Sequence, residues 1–392
     1  MDDTHVDEPC VDLPRVARRG RLDQRPLTMA PTIAVKPLGD DAWEHVTRIL
    51  ELSFGEHWPL EDQEAERLRF EPARSIGALD GPEVVGHACI YSFTMTVPGS
   101  PLGVAGVSMV GVLPTHRRRG VLTALMRHQL TSLHETGGEA VAVLTASEPA
   151  IYGRFGYGLA SHVVAIEVPR SRRELRQVAG ADEVSIRYAD LEKSLEACGA
   201  VHEAVVPARP GMFRHDDRWR RGEIADPSGS RRGASALRAV LAERDGRTTG
   251  FAYFRTHSSW GQRGPDGTTV VERVHAVDSA SYAALWQFLL DQDLMERTTH
   301  RRLAVDDPVL SLLVDFRQAQ AGVRDGLWAR LVDVGRALGS RTYAEAVDVV
   351  LEVRDDFCPW NAGRWHLTGD RSGASCGKVS RSPDLVIDVR DL

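Results

Sequence analysis

Along residues 40–170 the apolar positions change period several times, and each change marks an element. In DDAWEHVTRILELSF, Trp43, Val46, Ile49 and Leu50 recur at helical spacing, with Asp40 or Asp41 placed to cap the first turn. RSIGALDGPEVVGHACIYSFTMTV reads as two strands about an Asp-Gly turn. VAGVSMVGVL is apolar almost throughout, the mark of a strand buried on both faces. A helix is predicted over 121–135, with Val121, Leu122, Leu125, Met126, Leu130 and Leu133 on its core side. EAVAVLTAS then reads as the next buried strand, and ASHVVAIEVPR as the strand that closes the unit.

The same order returns, weakly, further on. VSIRYADLEKSLEACGAVHEAV predicts a strand and a helix, SALRAVLAERDGRTTGFAYFRT two strands about a second Asp-Gly turn, and TTVVERVHAVDSASYAALWQFLLDQDL a strand and a helix. After residue 300, DGLWARLVDVGRALGSRTY predicts a strand and a short helix, VDVVLEVRDDFCPWNAGRWHLTGD a hairpin-like pair, and PDLVIDVRDL a last strand. The chain is therefore expected to be α/β (α+β) in four parts. Residues 1–31 are polar, charged and Pro-containing and read as a disordered leader, with Met29 an alternative start to Met1. Residues 32–170 and 171–300 are the two α/β units. Residues 301–392 are few for an independent core, and their final strand reads as the edge of an incomplete domain.

Composition narrows the classes. Hydrophobic residues make up 42% and charged residues 26%, as in a globular chain, and the net charge of -7 argues against a nucleic-acid protein. No apolar run reaches the length of a membrane span, and no signal-peptide core opens the chain. The five cysteines are scattered without a CxxC pair, which points away from structural zinc and disulfides and toward a reducing, cytoplasmic setting. The fourteen histidines show no metal-ligand spacing, and His215 beside Asp216 and Asp217 reads as a polar loop. Cys89 reads as a buried thiol, and Trp360 and Trp365 as core packing. GxxxxGK[ST], GxGxxG and GxSxG are all absent.

One stretch carries chemistry. In VSMVGVLPTHRRRGVLTALM, residues 107–126, an apolar strand runs through Pro114 into Arg117, Arg118, Arg119 and Gly120, and a helix follows at once. A diphosphate needs several donors in a small volume. A helix N-terminus supplies N–H groups and a favourable dipole, glycine lets the backbone approach without a Cβ, and arginines add charge. Strand splaying near Val112 would leave its N–H unpaired. The bland alternative is a solvated basic turn. The second unit has no such loop, since VHAVDSASY carries no cations there.

The pattern V-x-V-x-P-x-x-R-R-R-G, here VGVLPTHRRRG, resembles the acetyl-CoA signature of GNAT-type N-acetyltransferases. TASEPAIYGRFGYGLASH, residues 145–162, resembles the enhanced intracellular survival (Eis) family of that class, and DGLWARLVDV with the LEV…W…L…PDLVIDV run agrees with its later domains. The resemblance covers residues 33–392. It implies tandem GNAT domains followed by a sterol-carrier-like domain, here truncated. It implies backbone contacts from Val110, Gly111 and Val112 to the acetyl and pantetheine part of acetyl-CoA. Arg118, Arg119, Gly120, Val121, Leu122 and Thr123 are implied to cradle the pyrophosphate, with Ser147 and Glu148 on the far side of the cofactor. Tyr152 is implied as the general acid; a neutral phenol can protonate the leaving thiolate. Phe155 and Tyr157 read as core aromatics. The acceptor would be a primary amine, aminoglycoside-, polyamine- or lysine-like, and the assembly a hexamer.

The family's general base is taken to be the chain's terminal carboxylate. Family members continue past the position of Leu392, so that role is not carried to Leu392. FGEHWPLEDQE offers Glu56, His57 and Trp58, with Glu61 and Asp62, as acceptor contacts or another base, although a charge run is commonly a solvated face. Two other readings stay open at this level: a CoA-binding but catalytically weak protein, and a carrier of an apolar ligand through the C-terminal domain.

Overall fold

The computed structural model describes residues 33–39, 42–262 and 264–392; the predicted leader, Met29, Cys10 and the Asp40 or Asp41 cap lie outside the described residues. In chain order the strands and helices are β1 (Ala34–Pro37), α1 (Ala42–Phe54), α2 (Leu60–Arg67), β2 (Ser75–Asp80), β3 (Glu83–Val97), β4 (Ser100–Val112), α3 (Val121–Glu135), β5 (Val141–Leu144), α4 (Pro149–Tyr152), β6 (Gly158–Leu159) and β7 (His162–Pro169). The second unit follows with β8 (Ser185–Ala189), α5 (Leu191–Val205), α6 (Asp217–Ile224), β9 (Arg238–Arg244), β10 (Arg247–His257), β11 (Trp260–Gly261), β12 (Gly264–Pro265), β13 (Gly267–Ala276), α7 (Ser279–Leu290) and β14 (Met295–Ala304). The last part holds α8 (Pro308–Leu312), β15 (Gly322–Asp325), β16 (Trp328–Leu331), α9 (Val334–Gly339), β17 (Val347–Arg354), β18 (Gly363–Asp370), β19 (Gly373–Lys378) and β20 (Leu385–Asp388).

Two seven-stranded sheets share one plan. The first runs β1-β2-β3-β4-β5-β16-β6 and the second, from its far edge, β8-β9-β10-β13-β14-β7-β15. In each, four antiparallel strands meet a fifth in parallel, β4 with β5 and β13 with β14. The weak repeat in the sequence is thus a repeat of structure. On β3, alternation sends Ala88 and Ile90 into the core shared with α3, and Cys89 and Tyr91 into the core shared with α1. The predicted core side of α3 is as expected, except that Leu122 is only half-buried.

Three sequence expectations change. His162–Pro169 does not close the first unit; β7 pairs with β14 in the second sheet. Trp328–Leu331 does not belong to the C-terminal part; β16 pairs with β5 on one side and β6 on the other, inside the first sheet. The first unit thus gives β7 to the second sheet and receives β16 from the part after residue 300, and neither sheet is complete in sequence order. LEDQEAER, which overlaps the charge run offered as acceptor contacts or as a solvated face, is helix α2, whose buried residue is Asp62. β11 and β12 pair as a two-stranded ribbon, and the other strands form a four-stranded sheet β19-β18-β17-β20, with α9 packed on it and Trp365 buried in its core. Trp360 and Trp365 pack as expected, each donating its indole N–H to a backbone carbonyl.

The second unit contains a block of buried histidines. The His202 ring stacks on His215 at 4.4 Å between centroids and lies 5.1 Å from His275. Asp216 caps α6, and His215 faces Glu223 on that helix rather than lying in a free loop. Burial holds His202 and His300 down to about 4 and His275 well below the ordinary imidazole range.

These groups stay neutral in the fold while the same imidazoles charge near 6.5 in the unfolded chain. Their contribution to stability is complete above about pH 6.5 and is lost as pH falls toward about 4. Thermal melts between pH 7.5 and pH 4.5 should therefore show a loss on the order of 2–4 kcal/mol, beginning near pH 6.5. A melting temperature that stays flat down to pH 5 would contradict neutral burial.

Candidate active site

The strand β4 leaves its neighbour early. It pairs with β5 only from Val104↔Val141 to Gly106↔Val143, yet runs on to Val112. Past Gly106 a gap opens between two parallel strands. Because β4 and β5 are parallel, the loops that follow them, 113–120 and 145–148, leave from the same end of the sheet.

A bulge shapes the gap. Against β3 the register passes from Cys89↔Ser108 to His87↔Gly111, so Met109 and Val110 face the single residue Ala88. Met109 takes φ 50, a costly conformation for a long side chain. His87 braces it. This buried ring places Nδ1 2.7 Å from the Met109 carbonyl and Nε2 2.7 Å from Ser75 Oγ. A carbonyl only accepts, so Nδ1 carries the proton and Nε2 accepts from the serine. Burial pulls His87 down to about 4, which keeps the ring neutral. Beyond the bulge, Leu113 donates to the Val85 carbonyl, so strand alternation turns the N–H and C=O of Val112 away from β3. The Val112 carbonyl accepts from Ser53 Oγ on α1.

The basic loop folds to expose donors. Arg118 has φ 61 and Gly120 φ 83, and Gly120 is the N-cap of α3 without any side-chain cap. The first N–H groups of a helix have no partner within it, so those around Val121, Leu122 and Thr123 are open. No acidic residue lies in this first turn. The three arginines differ in employment. Arg117 donates to the Ser53 carbonyl and Arg119 to Asp80, which also binds His116. Among the described residues, Arg118 has no side-chain hydrogen bond or ion pair, and it is exposed. Gly86 and Gly111 allow the two flanking helices to close in: a Cβ on Gly86 would lie 2.7 Å from Val121, and one on Gly111 2.8 Å from Ile49.

Across the gap, β5 leads through exposed Ser147 and Glu148 to the short helix α4. Tyr152 ends that helix, half-buried, with its ring 5.9 Å from Tyr157 at 73°. Burial, and then the nearby Glu148 charge, raise the Tyr152 phenol above its ordinary value, so it is neutral at physiological pH. Phe155 and Tyr157 are fully buried, as core aromatics should be.

The acidic segment is dispersed. Glu56 and His57 are exposed, and His57 pairs with Glu51 at 3.0 Å. Trp58 is half-buried against Trp43 at 5.6 Å, and its N–H is also held by Glu51. Glu61 accepts from Ser228, and Asp62 from Ser230, so both are engaged by the second unit. Sequence reading missed Glu51 and His87. Nothing in a lone carboxylate on a helix, or a lone histidine in a strand, marks either one.

The second sheet has the corresponding gap without the open helix mouth. There β13 pairs with β14 only as far as Val271↔His300. Asp278 caps α7, its carboxylate accepting from Ser281 N at 2.8 Å.

Comparison with known proteins identifies the domains that carry these sheets. Residues 34–160 and 211–331 each match an acetyltransferase (GNAT) domain, and residues 334–392 match a sterol carrier protein domain. An uncharacterized N-acetyltransferase of Streptomyces avermitilis is 47% identical over 92% of this chain and 88% of its own length. N-acetyltransferase Eis of Mycobacterium tuberculosis is 33% identical over 81% of this chain and 76% of its own. The crystal structure of Eis1 from Mycobacterium abscessus superposes with a TM-score of 0.73 at 30% identity, covering 92% of this chain and 88% of that one. With two GNAT sheets, a sterol-carrier-like third domain and these relatives, the chain belongs to the Eis-like family of GNAT N-acetyltransferases.

Proposed function

We propose that this N-acetyltransferase moves the acetyl group of acetyl-CoA to a primary amine by direct attack on the thioester, with catalysis in residues 32–170. The neutral amine nitrogen bonds to the acetyl carbon and the carbon–sulfur bond breaks; the nitrogen gives up one proton to solvent water, the departing sulfur takes one from the acid, and the acid is reprotonated from solvent. Tyr152 is that acid. Arg118, Arg119, Gly120, Val121, Leu122 and Thr123 take the pyrophosphate, Val110, Gly111 and Val112 the acetyl and pantetheine part, and Ser147 and Glu148 the far side of the cofactor. The acceptor is aminoglycoside-, polyamine- or lysine-like and enters past Glu56, His57 and Trp58. The protein works in the cytoplasm as a homo-oligomer, a hexamer like its family.

The single observation that carries this reading is the opening between β4 and β5, with an uncapped helix mouth on one side and a neutral, half-buried phenol on the other. The unpaired Arg118 supports it, because an exposed guanidinium held at positive φ contributes nothing visible to the fold.

Tyr152→Phe is expected to lower kcat on the order of 10²-fold while the KM for acetyl-CoA stays within about twofold. Thiol release from acetyl-CoA with a panel of amines measures both, and a wild-type rate would remove Tyr152 from the mechanism. Arg118→Ala is expected to raise the KM for acetyl-CoA about tenfold. Its melting temperature should not move, since the side chain is exposed and unpaired. An unchanged KM would place the pyrophosphate elsewhere.

A further inference from the structure

The loop that carries Tyr152 leaves the sheet from β5 and re-enters it at β6, and both strands are held there by a strand from far along the chain. Trp328 of β16 lies opposite Leu144 on one side and Leu159 on the other, and Ala329 lies opposite Val143 and Gly158. The next residue is Arg330. It is fully buried, an unusual place for a guanidinium.

Arg330 is held by the C-terminal domain. Its Nη2 donates to both carboxylate oxygens of Asp355, at 2.8 and 2.7 Å. Asp355 in turn accepts from the Cys358 N–H at 2.9 Å and from Asn361 Nδ2 at 3.1 Å, while Asn361 also donates to the Leu331 carbonyl and accepts from the Val334 N–H. The carboxylate is fully engaged. The guanidinium is not: Nε and Nη1 are buried without a hydrogen-bond partner.

Those two nitrogens press on the Tyr152 loop. A Cβ on Gly156 would lie 2.6 Å from Arg330 Cζ, 2.7 Å from Nη1 and 2.9 Å from Nε. The guanidinium therefore packs directly on the Gly156 backbone, where φ is 83. Gly156 closes the turn that follows Tyr152, donating to the Gly153 carbonyl at 3.0 Å. Tyr157, next along, sets its ring edge-on to Tyr152.

As a source of stability this arrangement is poor. A buried ion pair commonly does no better than apolar residues of the same volume, and two orphaned donors make it worse. What it does provide is a fixed distance between Asp355 and the loop, set by a planar guanidinium whose one nitrogen is shared by both carboxylate oxygens.

We propose that Arg330 and Asp355 are positioning residues, through which the sterol-carrier-like domain fixes the Tyr152 phenol in the first GNAT sheet. The inference rests on Tyr152 acting as the acid, and the test separates the two. The double variant Arg330→Met/Asp355→Leu replaces the pair with apolar residues of similar size; it also leaves the Cys358 N–H and Asn361 Nδ2 without their Asp355 acceptor, so it is expected to stay folded but to melt several degrees below the wild type. Its kcat should fall at least tenfold, with the KM for acetyl-CoA within about twofold.

The decisive measurement is the same pair of substitutions in a Tyr152→Phe background. If the ion pair acts through the phenol, they should there cost less than about twofold in kcat, because nothing remains to position. A double variant with wild-type kcat, or one with the same loss of kcat in both backgrounds, overturns the proposal. If Tyr152→Phe itself runs at the wild-type rate, the acid assignment has failed, and this inference with it. Should the double variant not fold, Asp355→Asn, which keeps the shape of the carboxylate, is read in the same cycle against the same outcomes.

Discussion

The end of hydrogen bonding between β4 and β5 is the constraint on which the site depends. Two parallel strands that stayed paired to their ends would leave no opening between them and no free backbone groups along it. Pairing stops at Gly106↔Val143, and β4 is then carried forward by β3 alone. The bulge at Met109 and Val110 increases the local twist and turns the strand end away from β5. A strained bulge persists only where its surroundings over-determine it. Here the buried His87 supplies the partner that the Met109 carbonyl would otherwise lack. The neutral ring suits this task, since burial disfavours a charged imidazolium at that depth.

Much of this is legible in the residues. The helix predicted over 121–135 has those bounds in the structure, and the Arg-Arg-Arg-Gly run is the loop that leads into it. Both rest on local physics: a period of 3.6, a glycine at positive φ, a proline that ends a strand. What stays hidden is what depends on partners. HVVAIEVP and WARL are each plain strands, and nothing in an alternating or apolar strand names the sheet it will join, so the strand exchange cannot be read from them. The α2 segment LEDQEAER lacks an apolar face and looks like solvated charge. As a helix, rich in residues of high helix propensity, it sets Glu66 and Asp62 against Tyr91 and Ser230. Arg330 is hidden for a similar reason. A charged residue in a four-residue strand ordinarily marks the solvent side, and only the structure shows Asp355 waiting for it.

The two sheets differ at one small place. Both have the same strand order, the same interrupted parallel pair and a helix at the same place. The difference lies at the residue that begins each helix. Gly120 leaves the first N–H groups of α3 without a partner, whereas Asp278 at the head of α7 brings its own carboxylate to the same kind of donors. A carboxylate already seated there satisfies the helix dipole, and it would repel a second anion at contact distance. The head of α7 thus lacks the open donors that the head of α3 presents. The second unit clusters the rings of buried His202 and half-buried His215 and His275, and β7 pairs there with β14 while β16 returns to the first sheet. The chain passes through the second unit before it returns to the first sheet as β16, which places Arg330 behind the loop of Tyr152.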